Sequence, residues 1–139
     1  MMPLCVLVLT ASVCLIGIKF LDCYSTMSQL EKPEDELNPL SKAAINRVGK
    51  RAAVCGVFLV VVIIVAIVSG TAYQQALGLL EDREPNFIEV ITVWAYVILG
   101  LAIAGVQAAV AHTNWTGRSS LISRSVAGVY RWWGSWVQG

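Results

Sequence analysis

Few side chains in this 139-residue sequence have the type and spacing for chemistry, and each carries a structural alternative. Glu89 is the one acid inside a long apolar run. An acid within a membrane can mark an ion or proton path. Glu89 stands three residues after Asn86, which follows Pro85. Asn86 as N-cap with Glu89 at the third helical position makes a variant capping box, and this reading outweighs that of an ion or proton path. His112 is the only histidine, and no acid or cysteine lies near it in sequence. It has no evident role as ligand or base and reads as an interfacial cap for a helix. The four cysteines show neither a C-x-x-C pair nor metal-site spacing. Cys5 and Cys14 read as small apolar residues. Cys23 and Cys55 are both expected near the cytoplasmic face, where palmitoylation competes with the favoured reading of an unmodified thiol. Asn114-Trp115-Thr116 matches a glycosylation acceptor. There is no Gly-rich phosphate loop, no nucleophile paired with a base and no internal repeat. The expectation is a non-enzyme with no cofactor and no metal.

The elements that must position these residues are apolar. Hydrophobic residues make up 57% of the chain and charged ones 14%, with a mean hydropathy of +0.69. Soluble domains carry about a quarter charged residues, so water is a poor solvent for most of this surface. The net charge of +1 offers no global attraction for nucleic acid, and none is expected as a partner. Three apolar runs stand out: Pro3 to Leu21, Ala52 to Ala72 and Phe87 to Ala111. A hydrocarbon core of about 30 Å takes roughly 20 helical residues, which the second and third runs exceed and the first just reaches. A backbone in lipid must satisfy its own hydrogen bonds, so all three are expected to be helices. The β-branched stretch from Val60 to Val68 favours a strand by propensity, but its place in one uninterrupted apolar run overrides that.

The fold class expected is therefore an all-α integral membrane protein, with three transmembrane helices and a C-terminal amphipathic interfacial helix. The organisation reads as a first span over 1–21, an acidic-then-basic loop over 22–51 and a second span over 52–72. A short acidic loop over 73–86, a third span over 87–111 and a Trp/Arg tail over 112–139 complete it. Basic residues are retained on the cytoplasmic side. Lys19, Lys32, Lys42, Arg47, Lys50, Arg51, Arg118, Arg124 and Arg131 all fall at one end of this arrangement, and only Arg83 falls at the other. The N-terminus is then outside and the C-terminus cytoplasmic. A cleaved signal peptide over 1–25 is the rival reading, opposed by a start, Met1-Met2-Pro3, with no Lys or Arg.

In the first loop, Pro33 and Pro39 are expected to break regular structure, and Ser41 to cap a short helix leading into the second span. Its basic residues read first as topology signals, with anionic headgroups as their natural contact. In the tail, where Trp132, Trp133 and Trp136 crowd together, Ile122, Val126, Val129, Trp133 and Trp136 form one helical stripe, with Tyr130 and Val137 widening it and Arg124 and Arg131 opposite. Such a helix lies along a membrane surface with its indoles at headgroup depth, or packs on another subunit. Gly100, Ala104 and Ala108 recur every fourth residue and form a small-residue face for close helix packing, and Ala66 and Gly70 repeat it in the second span. Gln107 has the chemistry of interhelical glue, worth about 0.6 kcal/mol.

The partners expected are the lipid bilayer and a membrane-protein partner or a second copy. The function expected is that of a structural, accessory or assembly subunit of a membrane complex or membrane-containing particle. The layout of three short spans, N outside and C inside, is similar to that of one class of phage holins. That likeness implies a pore- or lesion-forming alternative. The tail differs, being aromatic where a holin tail is typically a dense basic run.

Overall fold

The computed structural model describes residues 4–29, 31, 38–80, 86–118 and 120–137. Among them five α-helices follow in chain order: α1 (Leu4–Gln29), α2 (Pro39–Val48), α3 (Lys50–Gly78), α4 (Phe87–Thr116) and α5 (Leu121–Val137). No strand occurs among the described residues. The Val60 to Val68 stretch is helical inside α3, so the length of the apolar run decides over β-propensity.

α1, α3 and α4 are each long and apolar enough to cross a membrane. At 1.5 Å per residue, α1 spans about 39 Å, α3 about 44 Å and α4 about 45 Å, against about 30 Å of hydrocarbon. The excess is accommodated by tilt or by helix ends reaching into the headgroup layer. All three continue past their apolar runs, because a backbone once helical keeps its ladder until a breaker or cap intervenes. α4 stops at Gly117, which adopts φ +68° and donates its N–H to Thr113 O at 2.9 Å. His112 is therefore not the cap expected from its position. It sits inside the last turn and its carbonyl accepts from Thr116 Oγ1 at 2.8 Å.

The start of α2 also corrects the sequence reading. Pro39 opens the helix rather than breaking it, and Ser41 lies two residues in. Asn38 O accepts the first intrahelical bond from Lys42 N–H at 2.9 Å. Proline suits the first helical position because its missing N–H would have no partner there. Pro33 lies outside the described residues. Gly49 alone separates α2 from α3, at φ +83° and ψ 157°, a region only glycine adopts without strain.

The register of contacts makes α1 and α4 parallel and α3 antiparallel to both. Near the N-terminal end of α1, Cys5 and Val8 pack with Ala72, Ala76, Val93 and Val97, and Val8 and Val93 are fully buried. Further along, Leu15, Val65 and Ala104 form a second cluster. Between them Ser12 Oγ and Tyr96 Oη share a hydrogen bond of 2.7 Å from α1 to α4. Ser12 also bonds Val8 O at 2.7 Å, so a buried polar pair is satisfied within an apolar interior.

Gly100 and Ala104 are buried against α1. A Cβ placed on Gly100 meets Leu15 Cδ1 at 3.2 Å and Ala11 Cβ at 3.6 Å, whereas one on Gly105 meets nothing within 4 Å. Replacing Gly100 by Leu is therefore expected to force the helices apart and cost about 1–3 kcal/mol, while Gly105→Leu is neutral. Thermal unfolding in detergent measures both, and equal stability of the two variants would contradict this packing.

Candidate functional site: the basic end of the bundle

The C-terminal ends of α1 and α4 and the N-terminal end of α3 meet at one end of the bundle, and α2 and α5 cover it. Among the described residues every Lys and Arg lies in or beside these segments: Lys19, Lys42, Arg47, Lys50, Arg51, Arg118, Arg124 and Arg131. Several interactions fix the geometry there. Lys50 Nζ donates to Met27 O at 3.0 Å, tying the start of α3 to the last turns of α1. A cation at a helix C-terminus satisfies an orphan carbonyl and complements the dipole. The rings of Phe58, Phe20, Tyr24 and Trp115 form a continuous series across α3, α1 and α4, with successive centroids 6.0, 6.4 and 5.8 Å apart. Phe20, Tyr24 and Trp115 are each more than half exposed, as expected of rings at a membrane interface.

Lys19 and Asp22, three residues apart on α1, form an ion pair at 2.6 Å with side chains only 15% and 16% exposed. The pair faces a cavity of about 510 Å³ bounded by α1, α2, α3, α4 and α5. Val54, Val57 and Val110 supply an apolar wall, and Thr26, Asn38 and Asn114 supply part of a polar one. Arg124 and Tyr130 close it from α5.

α5 is anchored at its start by a reciprocal serine pair. Ser123 N–H donates to Ser120 Oγ at 3.1 Å, and Ser120 N–H donates to Ser123 Oγ at 2.9 Å. This follows the geometry of a capping box with serine in place of the acid. The helix packs by the edge that carries Ser123, Ala127, Tyr130 and Gly134, which are buried or half-buried. The stripe of Ile122, Val129, Trp133 and Trp136 lies about a third of a turn away and stays exposed, with Trp136 at 72%, whereas Val126, expected in the same stripe, is half-buried and lines the cavity. Trp132 is exposed at 64% and meets Trp136 edge-on at 5.9 Å. Arg124 and Arg131 are exposed on the side of α5 away from the stripe, Arg124 at the cavity. The bundle thus orders α5 without covering its indoles.

The remaining residues singled out by sequence are distributed as follows. Asn86 Oδ1 accepts from Ile88 N–H at 3.0 Å and Glu89 Oε2 accepts from Asn86 N–H at 3.4 Å, so the pair caps α4 at the opposite end of the bundle. Ala108 is half-buried. Ala66 and Gly70 face outward on α3, with open space around Gly70. Gln107 Oε1 is buried without a hydrogen-bond partner among the described residues, so that atom forms no bond across helices. Cys5 and Cys23 are buried, Cys14 half-buried and Cys55 exposed, all as free thiols. Asn114 and Thr116 lie at the basic end, in the last turn of α4. No group of three His, Cys, Asp or Glu side chains suited to a metal occurs among the described residues.

Sequence reasoning missed the Lys19–Asp22 pair, although its i, i+3 spacing was readable. It also missed the cavity and the Ser12–Tyr96 bond, which join residues far apart in sequence. Comparison with family models, with curated proteins and with solved structures finds no match, so the geometry alone carries the functional reading.

A charge left alone at this depth is costly, whereas removing both charges is not. Asp22→Asn is expected to destabilise the bundle by about 2–3 kcal/mol, below the cost of a fully buried pair because both groups keep some exposure. The double variant Lys19→Leu/Asp22→Leu should recover most of that loss. Thermal unfolding of the single and double variants in one detergent decides it, and a single variant as stable as the parent would contradict a structural role for the pair.

Proposed function

We propose that this small multi-pass membrane protein is a structural, accessory or assembly subunit of a membrane complex or membrane-containing particle. Its N-terminus lies outside and its C-terminus is cytoplasmic. The observation that carries this reading is how little of each span the bundle covers. About 22% of the apolar window of α1 and of α4, and 11% of that of α3, is buried inside the fold. Leu59, Ile63 and Ile67 stand exposed along α3, on the same side as the small residues Ala66 and Gly70. Gly100 is already occupied by α1 and Ala104 is buried in the core, so of the two small-residue pairs singled out by sequence the one still open to a partner helix is Ala66 and Gly70 on this outward face of α3.

The orientation rests on the retention of Lys and Arg on the cytoplasmic side. α5 then lies along the inner leaflet, its indoles at headgroup depth and its arginines toward phosphate and water. An accessory role suits spans with so few polar groups. The hydroxyls of Ser12 and Tyr96 are bonded to each other between α1 and α4, and those of exposed Thr10 and Thr71 bond their own helices. A lesion-forming oligomer would need polar surface on the outer faces of the spans to line its opening, and these faces are mainly apolar.

The test is copurification of the full chain from its native membrane in a mild detergent. A membrane-protein partner is expected in fixed stoichiometry. Its yield should fall at least several-fold in an Ala66→Leu/Gly70→Leu variant whose own thermal stability is unchanged. A chain that elutes without a partner, or whose partner tolerates both leucines, would overturn the proposal. Abrupt membrane depolarisation after a lag on induced expression would replace it with the lesion-forming alternative.

A further inference from the structure

We infer that the cavity at the basic end binds the phosphate-bearing headgroup of an anionic membrane lipid. Its volume, about 510 Å³, lies within the range of roughly 300–1,000 Å³ typical of small-molecule sites. The lining changes character along the bundle axis. Val57 and Val110 belong to the apolar spans, whereas Asn38 and Ser41 belong to the polar segment that leads into and forms α2. A lipid presents the same sequence of surfaces, from acyl chain through glycerol to headgroup.

The charges match as well. Among the described lining residues, Lys19 and Arg124 stand against the carboxylate of Asp22, which leaves one net positive charge. Asp22 is engaged by Lys19, and no ion pair holds Arg124 among the described residues. A guanidinium presents a rigid fork of donors that suits phosphate oxygens. A free phosphate shares this headgroup chemistry but leaves the valine wall without a purpose. The inference rests on the spans lying in a bilayer and is independent of any protein partner.

Native mass spectrometry of the full-length protein in detergent micelles tests it, with phosphatidylglycerol, phosphatidylcholine and inorganic phosphate as probes. One phosphatidylglycerol per chain is expected to be retained about tenfold more strongly than phosphatidylcholine. Both lipids carry a phosphodiester, so the preference comes from net charge: the choline cation of phosphatidylcholine meets a lining that is itself net positive, and a tenfold ratio corresponds to about 1.4 kcal/mol. Arg124→Gln should abolish that preference. Ala127→Trp, which fills the cavity without changing charge, should remove the bound lipid. Arg118→Gln, which alters a cation outside the cavity lining, should leave retention unchanged. Equal retention of the two lipids, or equal losses from Arg124→Gln and Arg118→Gln, would overturn the inference. Displacement of the lipid by millimolar inorganic phosphate would overturn the lipid assignment in favour of a soluble phosphate. Failure to copurify a protein partner has no bearing on this readout, so the two proposals fail separately.

Discussion

A backbone in hydrocarbon has no water to bond, and this constraint organises the whole chain. It explains why Val60 to Val68, a strand-forming stretch by composition, is helical within α3. It also explains why the interior can be thin. In water, α3 would leave Leu59, Ile63, Ile64 and Ile67 against solvent with little of the helix covered. In lipid the same side chains meet acyl tails, and close packing rather than hydrophobic burial holds the helices together. The two small cores, one around Val8 and Val93 and one around Leu15 and Ala104, suffice in that medium.

The polar side chains of the spans obey the same constraint. Ser12 and Tyr96 satisfy each other across α1 and α4, and Thr10 and Thr71 bond the carbonyls of their own helices. Away from the first turns of α3 and α4, where Lys50, Arg51 and Glu89 lie, the charges of the three spans are the paired Lys19 and Asp22, toward the end where α2 and α5 also lie. That end is built differently from the rest of the bundle. Serine capping, the Lys50–Met27 bond and an aromatic series hold five helices around a cavity of mixed polarity. At the opposite end the described residues carry the Asn86–Glu89 capping box.

The architecture was legible because length and composition carry it. Three apolar runs and an amphipathic tail correspond to α1, α3, α4 and α5, since membrane thickness sets helix length independently of tertiary detail. The local capping chemistry of Asn86 and Glu89 was legible for a similar reason, because its partners lie three residues apart. Pro39 was misread because proline both breaks helices and opens them, and the outcome depends on whether Asn38 supplies the preceding cap. The stripe of α5 was readable, but the edge by which it packs was not. Ser123, Ala127, Tyr130 and Gly134 are too mixed in polarity to announce a buried face. The cavity draws residues from all five helices, and no short-range pattern encodes such a convergence.

If lipid is what covers α1, α3 and α4, the chain must resist extraction by treatments that strip peripheral proteins. The most direct measurement is an alkaline carbonate wash of membranes from cells expressing the full-length protein, followed by high-speed centrifugation. The protein is predicted to remain in the membrane pellet and to be released only by detergent. Recovery in the carbonate supernatant would contradict the account, because helices with this much apolar surface could then be covered by something other than a bilayer.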